Sequence, residues 1–152
     1  MTKYNNCKSD VQQNIERYMF EQIKIRFEDS SFIENKELSI NKEGKIIIRP
    51  DFYSSENKII GEIHAHIGRL KGSQPDKIAS DVLKMVLYEK VNGCKWNKYI
   101  AVCCKEELEQ LKGKSFLAEA IREYKVEVLY IDLPENLRFE LAECMKRQNL
   151  MK

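Results

Sequence analysis

The sequence predicts a single α/β domain with a mixed central β-sheet flanked by helices, and an extra helix at the C-terminal end. Its 152 residues are the usual size of one domain, and 43% of them are hydrophobic, which is enough for a buried core. Three strand patterns follow one another early in the chain, and after them helical and strand patterns alternate. A meander followed by such alternation indicates antiparallel strands first, parallel strands later and helices on both faces.

The first helix is expected over residues 10–28. Ser9 or Asp10 suits the N-cap, because a glutamine follows three residues later as the partner of a capping box. Glu16 projects into the apolar side of this helix, which predicts an inward-facing carboxylate unless it pairs with a neighbouring arginine or lysine at the edge. The apolar stripe itself consists of Phe20, Ile23 and Phe27.

Three strands should follow the first helix. Residues 37–40 and 45–49 are separated by a polar turn that contains Gly44, which predicts a hairpin. A second polar turn at residues 54–57 leads into a third strand over residues 58–66. We expect these three strands to form one antiparallel meander.

The second half of the chain alternates between helices and strands, as in a sheet that helices cover. Pro75 suits the first turn of a helix, and Asn92 and Gly93 suit its end. The elements expected after it are a strand over residues 98–104, helical structure over 105–124, a strand over 125–131 and a terminal helix from Pro134.

Composition argues against several classes of protein. The formal net charge is only +2, from 26 basic and 24 acidic side chains, so charge alone does not indicate a nucleic-acid-binding protein. No apolar run approaches the roughly 20 residues that a membrane span needs. The N-terminal residues lack the apolar core of a secretory signal, and five cysteines without a C-x-x-C pair predict reduced thiols. We therefore expect a cytoplasmic protein.

The most informative motif begins with Pro50 and Asp51 and continues, after ten intervening residues, as Glu-x-His at Glu62 and His64. Asp51 ends one predicted strand and Glu62 lies in the next, so a hairpin can bring the two carboxylates side by side. Alternation along the strand places Glu62, His64 and His66 on one face. Oxygen ligands on neighbouring strands suit a hard divalent cation.

These residues resemble the motif of the PD-(D/E)-x-K nuclease superfamily, which includes restriction endonucleases and Holliday junction resolvases. Pro50 and Asp51 match its PD. Glu62 matches its acidic residue, and His64 stands where the superfamily has lysine. The resemblance implies a restriction endonuclease-like αβββαβ core over residues 10–131. It also implies metal-dependent hydrolysis of DNA phosphodiesters, with Mg²⁺ or Mn²⁺ bound by Asp51 and Glu62.

The same resemblance implies further site residues. The superfamily's lysine is thought to position or activate the attacking water, so His64 is expected to take this role or to leave it to the next helix. In that helix, Lys77 and Gln74 are the residues that the resemblance carries over. Several superfamily members place a glutamate of the first helix at the metal. Glu16 is therefore expected to complete the metal ligands, with Glu21 as the weaker choice.

The polar side of the helix that begins near Pro75 also has a simpler interpretation. Lys77 and Asp81 are one helical turn apart, so they can form an ion pair on a solvent-exposed face. Lys84 and Tyr88 continue the same stripe, and we expect them to be exposed to solvent in the same way.

A basic loop lies next to this site in the sequence. Residues 63–75 contain Arg69 and Lys71 but no acidic residue, and glycines flank the two basic residues. Such a loop can contact phosphates, which are bound chiefly by arginine, lysine and backbone amides, or it can simply be exposed to solvent. The resemblance to nucleases makes DNA the expected partner. In so small a chain, sequence specificity would have to come from loops, from a homodimer or from a partner protein.

Two other functions remain open. Glu62, His64 and His66 offer one carboxylate and two imidazoles, which Zn²⁺ or Fe²⁺ accepts, although side chains at this spacing span roughly 13 Å of backbone. The missing lysine also fits a catalytically inactive nucleic-acid-binding or assembly subunit of the same fold. A preference for Zn²⁺ over Mg²⁺ would indicate the first function, and DNA binding without cleavage would indicate the second.

Overall fold

A computed structural model describes residues 10–41 and 43–150, with side chains described up to residue 148. The predicted cap at Ser9 lies outside these residues, and Val11 rather than Asp10 occupies the N-cap position of the first helix. The helices are α1 (Gln12–Phe27), α2 (Gln74–Asn92), α3 (Lys105–Leu111), α4 (Phe116–Glu123) and α5 (Glu135–Leu150). The strands are β1 (Leu38–Ser39), β2 (Ile47–Ile48), β3 (Phe52–Ser54), β4 (Ile59–His64), β5 (Asn97–Val102) and β6 (Val126–Tyr130).

Four strands form the central sheet, in the order β3-β4-β5-β6. β3 is antiparallel to β4, whereas β5 is parallel to β4 and β6 is parallel to β5. Apolar side chains of α2, α3 and α4 pack on one face of this sheet, and those of α1 and α5 pack on the other. The predicted α/β class, with a mixed sheet flanked by helices, is therefore confirmed for the described part of the chain.

The predicted meander is wrong in its strand assignment. β1 and β2 pair with each other in a separate two-stranded sheet, where Leu38 lies opposite Ile48. β3, which follows Pro50, takes the place next to β4 at the edge of the central sheet. Pro50 has no N–H to donate to a ladder and restrains the backbone, so a strand that approaches it is interrupted there.

Both ends of α2 lie where the sequence predicts them. Pro75 is in the first turn, where its missing N–H removes no helical hydrogen bond. Gly93 ends the helix in the left-handed conformation, with φ 68°, and its N–H donates to the carbonyls of Glu89 and Lys90. Pro75 and Gly93 thus mark the two ends of α2, and between them Ile78 packs in the core.

A buried polar network holds the end of α1 against the turn between β3 and β4. Asp29 is 6% exposed and accepts hydrogen bonds from the Ser31 amide at 2.7 Å and from Asn57 Nδ2 at 2.6 Å. The hydroxyl of Ser31 also lies 2.7 Å from that of Ser54. The network therefore fixes α1, and with it Glu16, relative to β3 and β4.

α5 packs on its own chain. Leu141 is buried, and Leu137 and Met145 are partly buried against the core that α1 also joins. Among the described helices, none is long and apolar enough to cross a membrane.

The cysteines agree only in part with the expected reduced state. Cys94, Cys103 and Cys104 are free thiols, the first exposed and the other two buried. Cys144, in contrast, is disulfide-bonded, so the expectation is wrong for this residue.

Candidate active site

Asp51 and Glu62 meet where β3 begins. Phe52 pairs with Gly61, and continuing this antiparallel register by one residue brings Asp51 opposite Glu62. Asp51 Oδ2 accepts a hydrogen bond from the backbone amide of Ile63 at 2.7 Å. The carboxyl of Asp51 is also close enough to that of Glu62 to act on its pKa. The structure thus brings together the two acidic residues of the sequence motif.

Glu62 lies in an environment that disfavours its ionised form. Burial raises the pKa of its carboxyl well above the usual range, and the negative charges of Asp51 and Asp81 raise it further. Lys84 opposes these effects with its positive charge. A carboxyl with so raised a pKa carries a proton at neutral pH unless a cation replaces that proton.

Asp81 belongs to the same group, contrary to the solvent-exposed interpretation of the α2 stripe. Its side chain is only 16% exposed, and its ion pair is with Lys84, at 3.9 Å, rather than with Lys77. Burial raises the pKa of Asp81 and Asp51 raises it further, whereas Lys84, Lys77 and His64 lower it. Helical projection identified the polar stripe of α2. It could not show that β4 brings the carboxyl of Glu62 close to Asp81.

Glu16 reaches the same group from α1. Burial raises the pKa of its half-buried carboxyl, and the negative charge of Asp51 adds to this effect. The positive charge of Lys77 opposes it, as does His64 when its ring is protonated. We call the four carboxylates of Glu16, Asp51, Glu62 and Asp81 the acidic cluster.

The remaining stripe residues of α2 differ in their surroundings. Lys77 is exposed and close enough to the acidic cluster to act on two of its carboxyls. Tyr88 is buried, with its hydroxyl 3.0 Å from that of Tyr53, so its expected exposure is wrong. Gln74 turns to the preceding loop, where its side-chain oxygen accepts a hydrogen bond from the Lys71 amide at 2.8 Å. Of the two residues that the resemblance carries over, Lys77 therefore acts on the acidic cluster, whereas Gln74 is engaged by the loop.

His64 faces a carboxylate that the sequence analysis missed. Its Nδ1 lies 2.8 Å from both carboxylate oxygens of Glu107, which α3 buries completely. The buried His66 places its own Nδ1 3.4 Å from one of these oxygens, and the two imidazole rings stack with centroids 5.4 Å apart. Glu107 is one helical turn before the buried Leu111, so it projects onto the apolar side of α3. This projection is the sequence feature that could have indicated a buried carboxylate.

The loop after β4 carries the two predicted phosphate contacts. Arg69 and Lys71 are both exposed. Between them Leu70 is buried, with its amide donating to the side-chain oxygen of Gln110 at 2.8 Å and its carbonyl accepting from Gln110 Nε2 at 3.3 Å. The loop is therefore anchored to α3, and its two basic side chains point away from the protein.

An open cleft of about 300 Å³ adjoins the acidic cluster. Glu16 and Asp51 line one part of it, and Asn14, Arg17 and Asn35 line another. Its polar lining and its position beside two carboxylates make it the natural approach for a polar ligand. Sequence patterns did not single out the last three residues, because each is an ordinary surface side chain taken alone.

The candidate metal ligands do not yet converge on one point. Within residues 10–41 and 43–150, no group of three or more His, Cys, Asp or Glu side chains is close enough to hold a metal ion as it stands. The residues of the alternative Zn²⁺ site also separate, because Glu62 joins Asp51 whereas His64 and His66 turn to Glu107.

Comparisons with known proteins add no relative to this description. No protein-family model matches the chain, and no curated protein or solved structure is similar to it.

Proposed function

We propose that the chain is a metal-dependent nuclease of the PD-(D/E)-x-K type that hydrolyses phosphodiester bonds in DNA. The observation that carries this proposal is the acidic cluster, whose four carboxylates come from different segments of the chain and adjoin His64 and Lys77. Carboxylates that are partly buried and repel one another are costly to a fold. Groups with such perturbed pKa values occur preferentially at functional sites.

Mg²⁺ or Mn²⁺ fits this donor set, because both ions prefer carboxylate oxygens and retain several waters. Asp51 and Glu62 would bind the cation, and Glu16 and Asp81 are the further carboxylates available to it. These side chains would have to draw together, since they do not converge as they stand. When bound, the cation supplies positive charge that stabilises the negative charge developing on the phosphate.

The chain's own groups then account for the proton transfers of hydrolysis. A water oxygen forms a bond to phosphorus, the bond from phosphorus to one ester oxygen breaks, and that oxygen takes a proton from solvent. The attacking water loses a proton, for which an imidazole nitrogen of His64 is a suitable acceptor. Lys77 contributes positive charge close to the phosphate.

Exposed positive and polar side chains are available to contact a nucleic-acid backbone. Arg69 and Lys71 are exposed on the loop after β4, and Arg17 and Asn14 line the cleft beside the acidic cluster. Contacts of this kind bind phosphates without reading the base sequence. A second copy of the chain or a partner protein would then provide any sequence specificity.

The order of the elements supports a restriction endonuclease-like core as part of this proposal. α1 precedes the antiparallel pair of β3 and β4, which carries the acidic pair, and α2 connects β4 to the parallel strand β5. The βαβ unit of β4, α2 and β5 holds one face of β4 against α2, which is the face that carries Glu62.

The proposal is tested by incubating the purified protein with linear, branched and single-stranded DNA in Mg²⁺, Mn²⁺, Zn²⁺ or EDTA. The matched inactive variant is Asp51→Asn/Glu62→Gln, which preserves shape and removes both carboxyl groups. Glu135→Gln/Glu140→Gln removes two charges from exposed positions of α5 and is the control. We expect the wild type and the control to cleave DNA in Mg²⁺ or Mn²⁺, and the first variant not to cleave it. Equal cleavage by all three proteins would reject the assignment.

A non-catalytic nucleic-acid-binding or assembly subunit is the second candidate function. It is favoured by histidine in the position of the superfamily's lysine, and by the engagement of that histidine with Glu107. This function predicts DNA binding that survives in EDTA and no cleavage in any of the metals. Cleavage in Zn²⁺ alone would instead favour chemistry built on the two imidazoles.

A further inference from the structure

We infer that Glu107 is a positioning residue for His64: it holds the proton on Nδ1 and thereby presents Nε2 to the acidic cluster. The contact between the two side chains stands on the geometry alone. What His64 does with Nε2 rests on the nuclease function proposed above.

The first argument is the burial of Glu107. Its side chain is 0% exposed, and its neighbours along α3, Glu106 and Glu109, are exposed. A buried carboxylate is retained only where hydrogen bonds satisfy it, and here His64 Nδ1 lies 2.8 Å from both oxygens. An ionised carboxylate accepts and does not donate, so Nδ1 carries the hydrogen of this contact when Glu107 is ionised.

The second argument concerns the opposite side of the imidazole. With the hydrogen on Nδ1, Nε2 of the neutral ring is the acceptor. Glu62 of the acidic cluster and His64 are two residues apart in β4, so their side chains leave the same face of the strand. The ring therefore connects the buried Glu107 on one side with the acidic cluster on the other. The same arrangement, in which a carboxylate fixes the tautomer and orientation of a histidine, is common behind active-site imidazoles.

The third argument is that His66 limits the rotation of this ring. The two imidazoles stack at an interplanar angle of 25°, with their centroids 5.4 Å apart. Nδ1 of His66 is buried and, among the described residues, has no hydrogen-bond partner, although it lies 3.4 Å from Glu107. His66 thus contributes a stacking surface to His64 while Glu107 makes the hydrogen bond.

The chain contains only two histidines, which makes a direct test possible. In protein labelled with ¹⁵N-histidine, long-range ¹H–¹⁵N spectra show which nitrogen of each ring carries hydrogen, and His66→Asn assigns the two rings. We expect Nδ1 of His64 to be protonated in the wild type. We expect Glu107→Gln to shift the His64 signals and Glu106→Gln to leave them in place. A wild-type His64 protonated at Nε2 alone would overturn the inference.

Cleavage kinetics test the consequence for catalysis. Outer partners of active-site ligands typically change activity by about 10- to 100-fold, so Glu107→Gln should lower kcat by that order, with KM for DNA unchanged. Glu107→Asp, which keeps the charge, should recover part of the loss. Equal kcat for wild type and Glu107→Gln would show a purely structural carboxylate.

The two experiments separate the possible failures. If the wild type does not cleave DNA, the proposed function fails while the spectra still decide whether Glu107 positions His64. If Glu107→Gln does not fold, the wild-type spectrum and the Glu107→Asp variant carry the test.

Discussion

The carboxylate of Asp51 accepts a hydrogen bond from the backbone amide of Ile63 at 2.7 Å, so a residue of the acidic cluster also joins the start of β3 to β4. One carboxylate oxygen is thereby committed to the backbone. The structural and the chemical roles of Asp51 can be separated, because asparagine retains a hydrogen-bond acceptor and alanine does not.

Asp51→Asn and Asp51→Ala are expected to differ in stability and to agree in activity. Alanine leaves the part-buried Ile63 amide without its acceptor, which should cost about 1–3 kcal/mol in the free energy of unfolding. Asparagine should remain within about 0.5 kcal/mol of the wild type. Neither variant should cleave DNA. Urea unfolding in EDTA measures the stabilities, and similar values for both variants would contradict a structural role for this bond.

Replacing Glu62 with glutamine should make the stability of the metal-free protein less dependent on pH. The pKa of Glu62 is raised in the folded state, first by burial and then by the charges of Asp51 and Asp81. Above its unfolded pKa of about 4.3, the folded state therefore binds more protons than the unfolded state, and stability falls with pH. Glu62→Gln removes this contribution.

The measurement compares urea unfolding in EDTA at about pH 5 and about pH 8. The wild type should lose more stability between these values than Glu62→Gln does. The exposed Glu140→Gln is the control and should follow the wild type. If the stabilities of the wild type and Glu62→Gln changed equally with pH, the pKa of the Glu62 carboxyl would not be raised in the folded state.

Long elements with clear end signals were predictable from the sequence, and α2 shows why. Pro75 and Gly93 restrict the backbone through their own covalent structure, so they mark the ends of a helix wherever it packs. β3 lacked such signals. It is three residues long, and its place next to β4 comes from pairing that no local pattern contains.

Apart from Glu16 and Lys77, which the resemblance supplied, the site was predictable only where one strand or one hairpin determines it. The pairing of Asp51 with Glu62 follows from alternation and from the short connection between β3 and β4. Asp81 and Glu107 belong to helices whose position over β4 depends on the packing of the whole core. Sequence periodicity identifies the face of a helix on which a residue lies, but not which carboxylate or imidazole that face will contact.

Asp29 should make the protein sensitive to acid through its position at the end of α1. Burial alone would raise the pKa of Asp29, but hydrogen bonds from Ser31 and Asn57 outweigh it and lower the pKa to about 2. The resulting stability is fully present above the unfolded pKa of about 3.9 and is lost as pH falls through about 2. Asp29→Asn should cost about 1–3 kcal/mol near neutral pH, because its amide would face the donor of Asn57.

Urea unfolding of Asp29→Asn near neutral pH and in acid provides the measurement. Asp132→Asn changes an exposed aspartate in the same way and should cost much less. If Asp29→Asn and the wild type lost stability equally on acidification, the hydrogen-bonded carboxylate would not be the acid-sensitive group.

Gly61→Ala should disturb both the fold and the acidic cluster, because the Phe52 ring occupies the space that a Cβ atom at residue 61 would need. Phe52 is fully buried and follows Asp51 directly, so any shift of its ring acts on the start of β3. Overpacking of this kind typically costs about 1–3 kcal/mol.

Phe52→Leu should cost stability on its own but should relieve part of the strain that alanine introduces. A double-mutant cycle by urea unfolding should therefore give a stabilising coupling between the two substitutions of at least about 0.5 kcal/mol. Additive losses would mean that Gly61 is not required by the contact with Phe52, and that the close approach of β3 to β4 tolerates a methyl group.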